Sequence, residues 1–303
     1  MLDIPTVFVL GAGASIPYGY PSGETLIGWL TASQQGDSTI SEADFDRLRQ
    51  ALLRSPDKSV DAFLERQPRD LQDIGKRAIA ESLIRCEDPK KLFRQSASDA
   101  DDWIRFLLSE LLADVHFERL FDLPLAFVTF NYDRSLEAVL MDCLTSKYKR
   151  EVEQVGPLLK ERLPIVHVHG DLGPLDWQHR DNVESRAYSS ELTPQIVDRA
   201  ASQIKIIHEA DPSDIAFKNA RQLLGNSKRI YFLGFGYHPL NLKRLGIPFG
   251  QMGETQCHGS AFKLSEARRG AFTAKYVGLN LGKEHHRSVE FLDNCRRFLD
   301  DAG

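Results

Sequence analysis

The sequence predicts an α/β protein: a Rossmann-like parallel sheet with a helical insertion. Two observations carry that prediction. Short apolar runs alternate with helical periodicity and end on glycine or polar turns. A helical stretch with no convincing strand, residues 31–121, separates the first run from the second.

In order, residues 6–10 (Thr-Val-Phe-Val-Leu) are almost wholly apolar and stop at Gly11, as in a central strand covered on both faces. A loop rich in Tyr, Pro and Gly at 17–23 leads to a helix at 24–29. Between 41 and 120 lie amphipathic stripes: Asp44, Phe45, Leu48, Ala51 and Leu52, then Phe63, Leu64, Ile74, Ala78 and Ile79. Trp103, Ile104, Leu107, Leu108, Leu111, Leu112 and Val115 make the strongest helical pattern. Strand-like runs return at 125–130, 165–168 and 229–235, with further candidates at 261–264 and 276–281. A helix opens near Arg134, another covers 214–224 with Asp211-Pro212-Ser213 as its start signal, and a last one covers 289–299. The expected organisation is a sheet domain from 1–30 plus 122–303, with 31–121 inserted. No internal repeat interrupts it.

Bulk properties narrow the classes. Apolar content of 42% and charged content of 27% suit a soluble globular chain of 303 residues. A formal net charge of −5 gives no support to direct nucleic-acid binding. No apolar run approaches the ~20 residues of a membrane span. Residues 4–10 are too short and too uncharged on their flank for a signal peptide, so a cytoplasmic protein is expected. Cys86, Cys143, Cys257 and Cys295 are scattered, with no Cys-x-x-Cys pair. Four reduced thiols and no zinc are expected.

Three motifs then share one end of the sheet, where open α/β folds bind ligands. Gly11-Ala12-Gly13-Ala14-Ser15 follows the first strand. Its glycines permit close approach of a phosphate to backbone amides, and Ser15 offers a hydroxyl. Ile16 breaks the full dinucleotide fingerprint, so glycines that serve only a tight turn are the competing explanation. Thr129-Phe130-Asn131-Tyr132-Asp133 ends the next strand. Asp133 suits a helix cap, while Asn131 has both a donor and an acceptor for a sugar hydroxyl or a water. His167-Val168-His169-Gly170 follows the third. Its histidines, alternate on a strand, are expected to share a face; His169 is the candidate base, and a metal pair is the rival. A fourth turn, Leu233-Gly234-Phe235-Gly236-Tyr237-His238-Pro239, would face the nucleotide from across the sheet, with Asn241 a further polar candidate. Glu284-His285-His286 reads as a solvated turn.

At these residues the chain resembles the sirtuin-like NAD-binding superfamily. Gly11 to Ser15, Thr129 to Asp133, and His169-Gly170 stand in that superfamily's order. Sirtuin deacylases carry two Cys-x-x-Cys pairs and a Gln-Asn-Ile-Asp motif; here there are no such pairs, and the motif is Phe130-Asn131-Tyr132-Asp133. The chain therefore looks more like the bacterial anti-phage NADases that lack the zinc ribbon. The resemblance implies NAD as substrate, cleaved to nicotinamide and ADP-ribose, with no zinc. Asn131, His169 and Asp133 would be catalytic. Gly11, Ala12, Gly13, Ser15, Thr129, Gly234, Phe235 and Gly236 would bind the dinucleotide. It also implies a homo-oligomer, and a partner such as a hexameric DNA-translocating ATPase or a short Argonaute. A non-catalytic NAD or ADP-ribose sensor and a protein deacylase are the alternatives.

Overall fold

In the computed structural model, which describes residues 4–32, 36–57, 59–94, 101–206, 214–251 and 253–295, six parallel strands form one sheet. They are β1 (Thr6–Leu10), β2 (Leu125–Thr129), β3 (Ile165–His167), β4 (Arg229–Leu233), β5 (Gln256–Gly259) and β6 (Leu279–Leu281). Their spatial order is β3-β2-β1-β4-β5-β6. Chain direction of winding reverses between β1 and β4, so the crevice outside their carboxyl ends is the topological switch point of a doubly wound sheet. The Rossmann-like α/β class read from the sequence is the one observed.

Helices α1 (Gly23–Thr31), α2 (Glu42–Leu53), α3 (Val60–Leu64), α4 (Arg69–Ile84), α5 (Pro89–Arg94), α6 (Trp103–Leu111) and α7 (Phe117–Leu120) lie between β1 and β2. Next come α8 (Ser135–Tyr148) and α9 (Val152–Arg162), with α10 (Pro194–Gln203) and α11 (Ile215–Gly225) after β3. The set closes with α12 (Pro239–Leu245), α13 (Glu266–Lys275) and α14 (Ser288–Asn294). No helix among the described residues is long and apolar enough to cross a membrane.

The strand alternation divides two cores. Phe8, Leu10, Phe127, Tyr231 and Leu233 share one core with Leu48, Leu64, Ile79, Trp103 and Leu107 of the helical block. Val7, Val9, Val128, Ile230 and Phe232 face the other, with Phe217 of α11 and Leu242 of α12. The register sets Phe8 beside Phe127 and Tyr231, and its ring stacks on both, at 5.6 and 5.3 Å. Such aromatic pairs contribute about 0.5–1.5 kcal/mol beyond area burial.

Two strands differ from expectation. The fifth is Gln256–Gly259, whereas 261–264 is a turn. Only Cys257 and Gly259 of β5 are buried, while His258 stacks on Tyr231 at 5.5 Å, so this strand lacks the apolar run that marks the others. The sixth is confined to Leu279–Leu281. Asp214 caps α11 by accepting from the Ala216 and Phe217 amides. The expected start signal at 211–213, and residues 296–299 of the last helix, lie outside the described residues.

Candidate active site

The β1 and β4 turns meet backbone to backbone at the switch point. The Gly11 amide donates to the Leu233 carbonyl (3.0 Å) and the Gly13 amide to the Gly234 carbonyl (2.9 Å). A Cβ on Gly234, which has φ +57, would sit 2.0 Å from the Ala14 nitrogen; one on Gly13 would sit 2.7 Å from the Gly234 Cα. These glycines are thus required by the approach of two strand ends, and two turn amides are already engaged. Gly236 faces open space.

Beside this turn Ser15, Asn131 and Asp133 form a hydrogen-bonded chain. Asn131 Nδ2 donates to the Gly11 carbonyl (2.9 Å) and to Ser15 Oγ (2.8 Å), and Ser15 Oγ donates to Asp133 Oδ2 (2.5 Å). Asp133 Oδ1 accepts from the Ser135 amide (3.1 Å) and from its hydroxyl. Asp133, one residue before the N-cap Arg134, therefore ties down the first residue of α8 and holds Ser15 at once. Burial pushes its carboxyl above the ordinary range, with the Ser135 and Ser15 hydrogen bonds opposing. Thr129 Oγ1 accepts from the Asn131 amide (3.0 Å). With both side-chain amide hydrogens spent, Asn131 has its Oδ1 left as an acceptor. Leu10, Ser15, Trp103, Asn131, Asp133 and His167 are among the walls of a cavity here, which has room for about one water molecule.

The two histidines do not share a face. β3 ends at His167, and the Gly170 amide closes a turn onto the His167 carbonyl (3.3 Å). Gly170 has φ +77, and a Cβ there would lie 2.0 Å from the Gln203 carbonyl oxygen, so only glycine makes this bend. His167 turns toward α8, where its Nε2 meets Glu137 Oε1 at 2.6 Å. His169 turns the other way, into a box of Phe130 (5.5 Å between ring centroids), Phe217 (5.8 Å) and Tyr132 (6.3 Å). Phe235 closes on Phe130 behind it (5.1 Å). His169 is 4% exposed, and its Nδ1 has no hydrogen-bond partner among the described residues. Burial depresses its pKa, with Arg244 adding to the effect against Asp61 and Asp214, so the ring is neutral near pH 7.

The helical block covers both parts. Trp103 Nε1 donates to the Ala14 carbonyl (2.7 Å), and Tyr18 Oη donates to Asp102 Oδ1 (2.9 Å), pinning α6 to the glycine turn. From α3, Asp61 accepts from the Tyr132 hydroxyl, and Glu65 at its C-terminal cap pairs with Arg244 (2.6 Å), whose guanidinium lies over Phe217. Asp61, Glu137 and Ser135 were not singled out from sequence, and Trp103 was read only as a core position of its helix; the partners of Asp61, Glu137 and Trp103 are distant in the chain.

No family model matches this chain, and no curated protein matches it. A solved structure described as a Sir2 homolog–NAD complex is similar over 99% of this chain and 92% of its own, at 14% identity and a TM-score of 0.47. A likeness so distant says nothing about chemistry, which rests on the topology and side chains above.

Proposed function

We propose that the chain hydrolyses NAD at the nicotinamide–ribose bond. One observation carries the reading: at the switch point, a neutral, buried histidine with an unpartnered nitrogen packs against the two residues that flank a fixed, acceptor-presenting asparagine. The turn of Gly11, Ala12, Gly13 and Ser15, with Thr129 behind it, faces the diphosphate. Gly234, Phe235 and Gly236 face the adenosine half.

The scissile C–N bond breaks with its electron pair leaving on nicotinamide, through an oxocarbenium-like ribose. Water bonds to the anomeric carbon and its proton passes to His169, which is neutral and so able to accept it near pH 7. Asn131 Oδ1 accepts from a ribose hydroxyl or from that water. Asp133 acts through Ser15, which fixes the Asn131 amide. The aromatic box excludes other water, and α3 must move off Tyr132 and Arg244 before ribose reaches His169.

The sequence resemblance supports placing this activity in a bacterial anti-phage effector that depletes NAD, working as a homo-oligomer with a partner such as a DNA-translocating ATPase or a short Argonaute. The test is NAD consumption by the purified chain, with products resolved by chromatography. Asn131→Ala and His169→Ala should each lower turnover by about a hundredfold or more. Full cleavage by folded His169→Ala would refute its role as base, and intact bound nucleotide after long incubation would favour a sensor.

A further inference from the structure

His167 lies outside the hydrolytic roles assigned above, yet its ring is fixed at both ends. Nδ1 stands 2.9 Å from the Asn131 carbonyl oxygen and Nε2 stands 2.6 Å from Glu137 Oε1, with side-chain exposures of 7% for His167 and 2% for Glu137. A carbonyl oxygen can only accept, and so can a carboxylate, so each ring nitrogen must present a hydrogen. We propose that His167 is a positioning residue: a buried imidazolium that clamps the Asn131 carbonyl to Glu137 and so aims Asn131 into the site. The inference deepens the hydrolase reading and rests on it for its kinetic arm.

The charges around the ring agree. Glu137 stands in the first turn of α8, beside the helix N-terminus that favours an anion. Asp171, in the loop after β3, adds a second negative charge and is itself paired with Arg180 (2.5 Å). Asp133 lines the same cavity, and Ser15, Thr129, Asn131 and Ser135 are its uncharged polar walls. Burial opposes the charged ring, but Glu137, then Asp171 and the Asn131 carbonyl, raise its pKa to about 9. Glu137 Oε2 has no hydrogen-bond partner among the described residues, so the imidazolium is this carboxylate's one direct donor. Asn131 is thereby held from two sides: its side chain by Gly11 and Ser15, its carbonyl by His167.

The test is nitrogen-15 NMR of the full chain with labelled histidine, the His167 signals assigned by their loss in His167→Gln. At pH 7.5 both ring nitrogens should carry hydrogen, and deprotonation should have its midpoint near pH 9. The Asn131 side-chain amide signals should shift with the same midpoint. Glu137→Gln should lower that midpoint by at least about one pH unit. In turnover, Glu137→Gln should lower kcat about tenfold with KM little changed, and should move the alkaline fall of kcat down with the midpoint. A ring neutral at pH 7.5, its proton residing on Glu137 instead, would overturn the proposal. So would Asn131 signals indifferent to the His167 titration. A wild-type chain that leaves NAD intact would overturn the hydrolase reading, while the NMR arms would still judge the clamp.

Discussion

Ser15→Ala removes the link between Asn131 and Asp133 and little else. Ser15 is 5% exposed, and its hydroxyl bridges Asn131 Nδ2 at 2.8 Å to Asp133 Oδ2 at 2.5 Å. Its loss strands one amide hydrogen and one carboxylate oxygen in the interior, and each such group costs about 1–3 kcal/mol. Asn131 keeps its bond to the Gly11 carbonyl, and Asp133 keeps both bonds from Ser135, which holds the total to about 2–3 kcal/mol. That lowers the folding equilibrium constant by about 30-fold or more. Urea unfolding followed by circular dichroism should show an earlier midpoint at unchanged slope. The freed Asn131 should also turn over NAD more slowly, and a double-mutant cycle with Asn131→Ala should give a coupling of about 1 kcal/mol. A wild-type unfolding midpoint together with wild-type turnover would refute the relay.

Three further outcomes follow from other contacts. Glu87→Ala should destabilise by about 3–5 kcal/mol in urea, because it leaves the Arg134 guanidinium, 1% exposed and paired with Glu87 at 2.7 Å, as an uncompensated buried charge. Asp61→Asn weakens the hold of α3 on Tyr132, so the purified chain should cleave NAD several-fold faster and His169 should react sooner with an imidazole-modifying reagent. The His167 pKa is raised, from an ordinary 6.5 to about 9, so its stabilisation is fully present below about pH 6.5 and is lost as pH rises through about 9. Urea midpoints between pH 6 and 10 should therefore fall less steeply in His167→Gln than in wild type.

Much of the fold was legible because its centre obeys simple patterns. Residues 7–10 and 230–233 are buried on both faces and read as unbroken apolar runs. The glycine and Asn/Asp turns follow their strands directly, so their gathering at one sheet edge was legible too. What escaped depends on contacts between residues far apart in sequence. β5 takes its place through backbone pairing with β4 and β6 rather than through apolar side chains, and Gln256 and His258 disguise it. The divergence of His167 and His169 rests on the end of β3 at His167 and the turn at 168–169 that the Gly170 amide closes, a backbone event that strand periodicity does not anticipate. Gly11 and Gly13 were legible as turn glycines, but their fit against Gly234 was not. Glu137 lies on a helix with little amphipathic contrast, and its partner His167 is thirty residues on.

The most direct measurement is NAD consumption by the purified chain beside Asn131→Ala, with the products separated chromatographically. Nicotinamide and ADP-ribose from the wild type, falling about a hundredfold or more in the variant, is the predicted result. Equal cleavage by both proteins, or NAD left intact by the wild type, would contradict it.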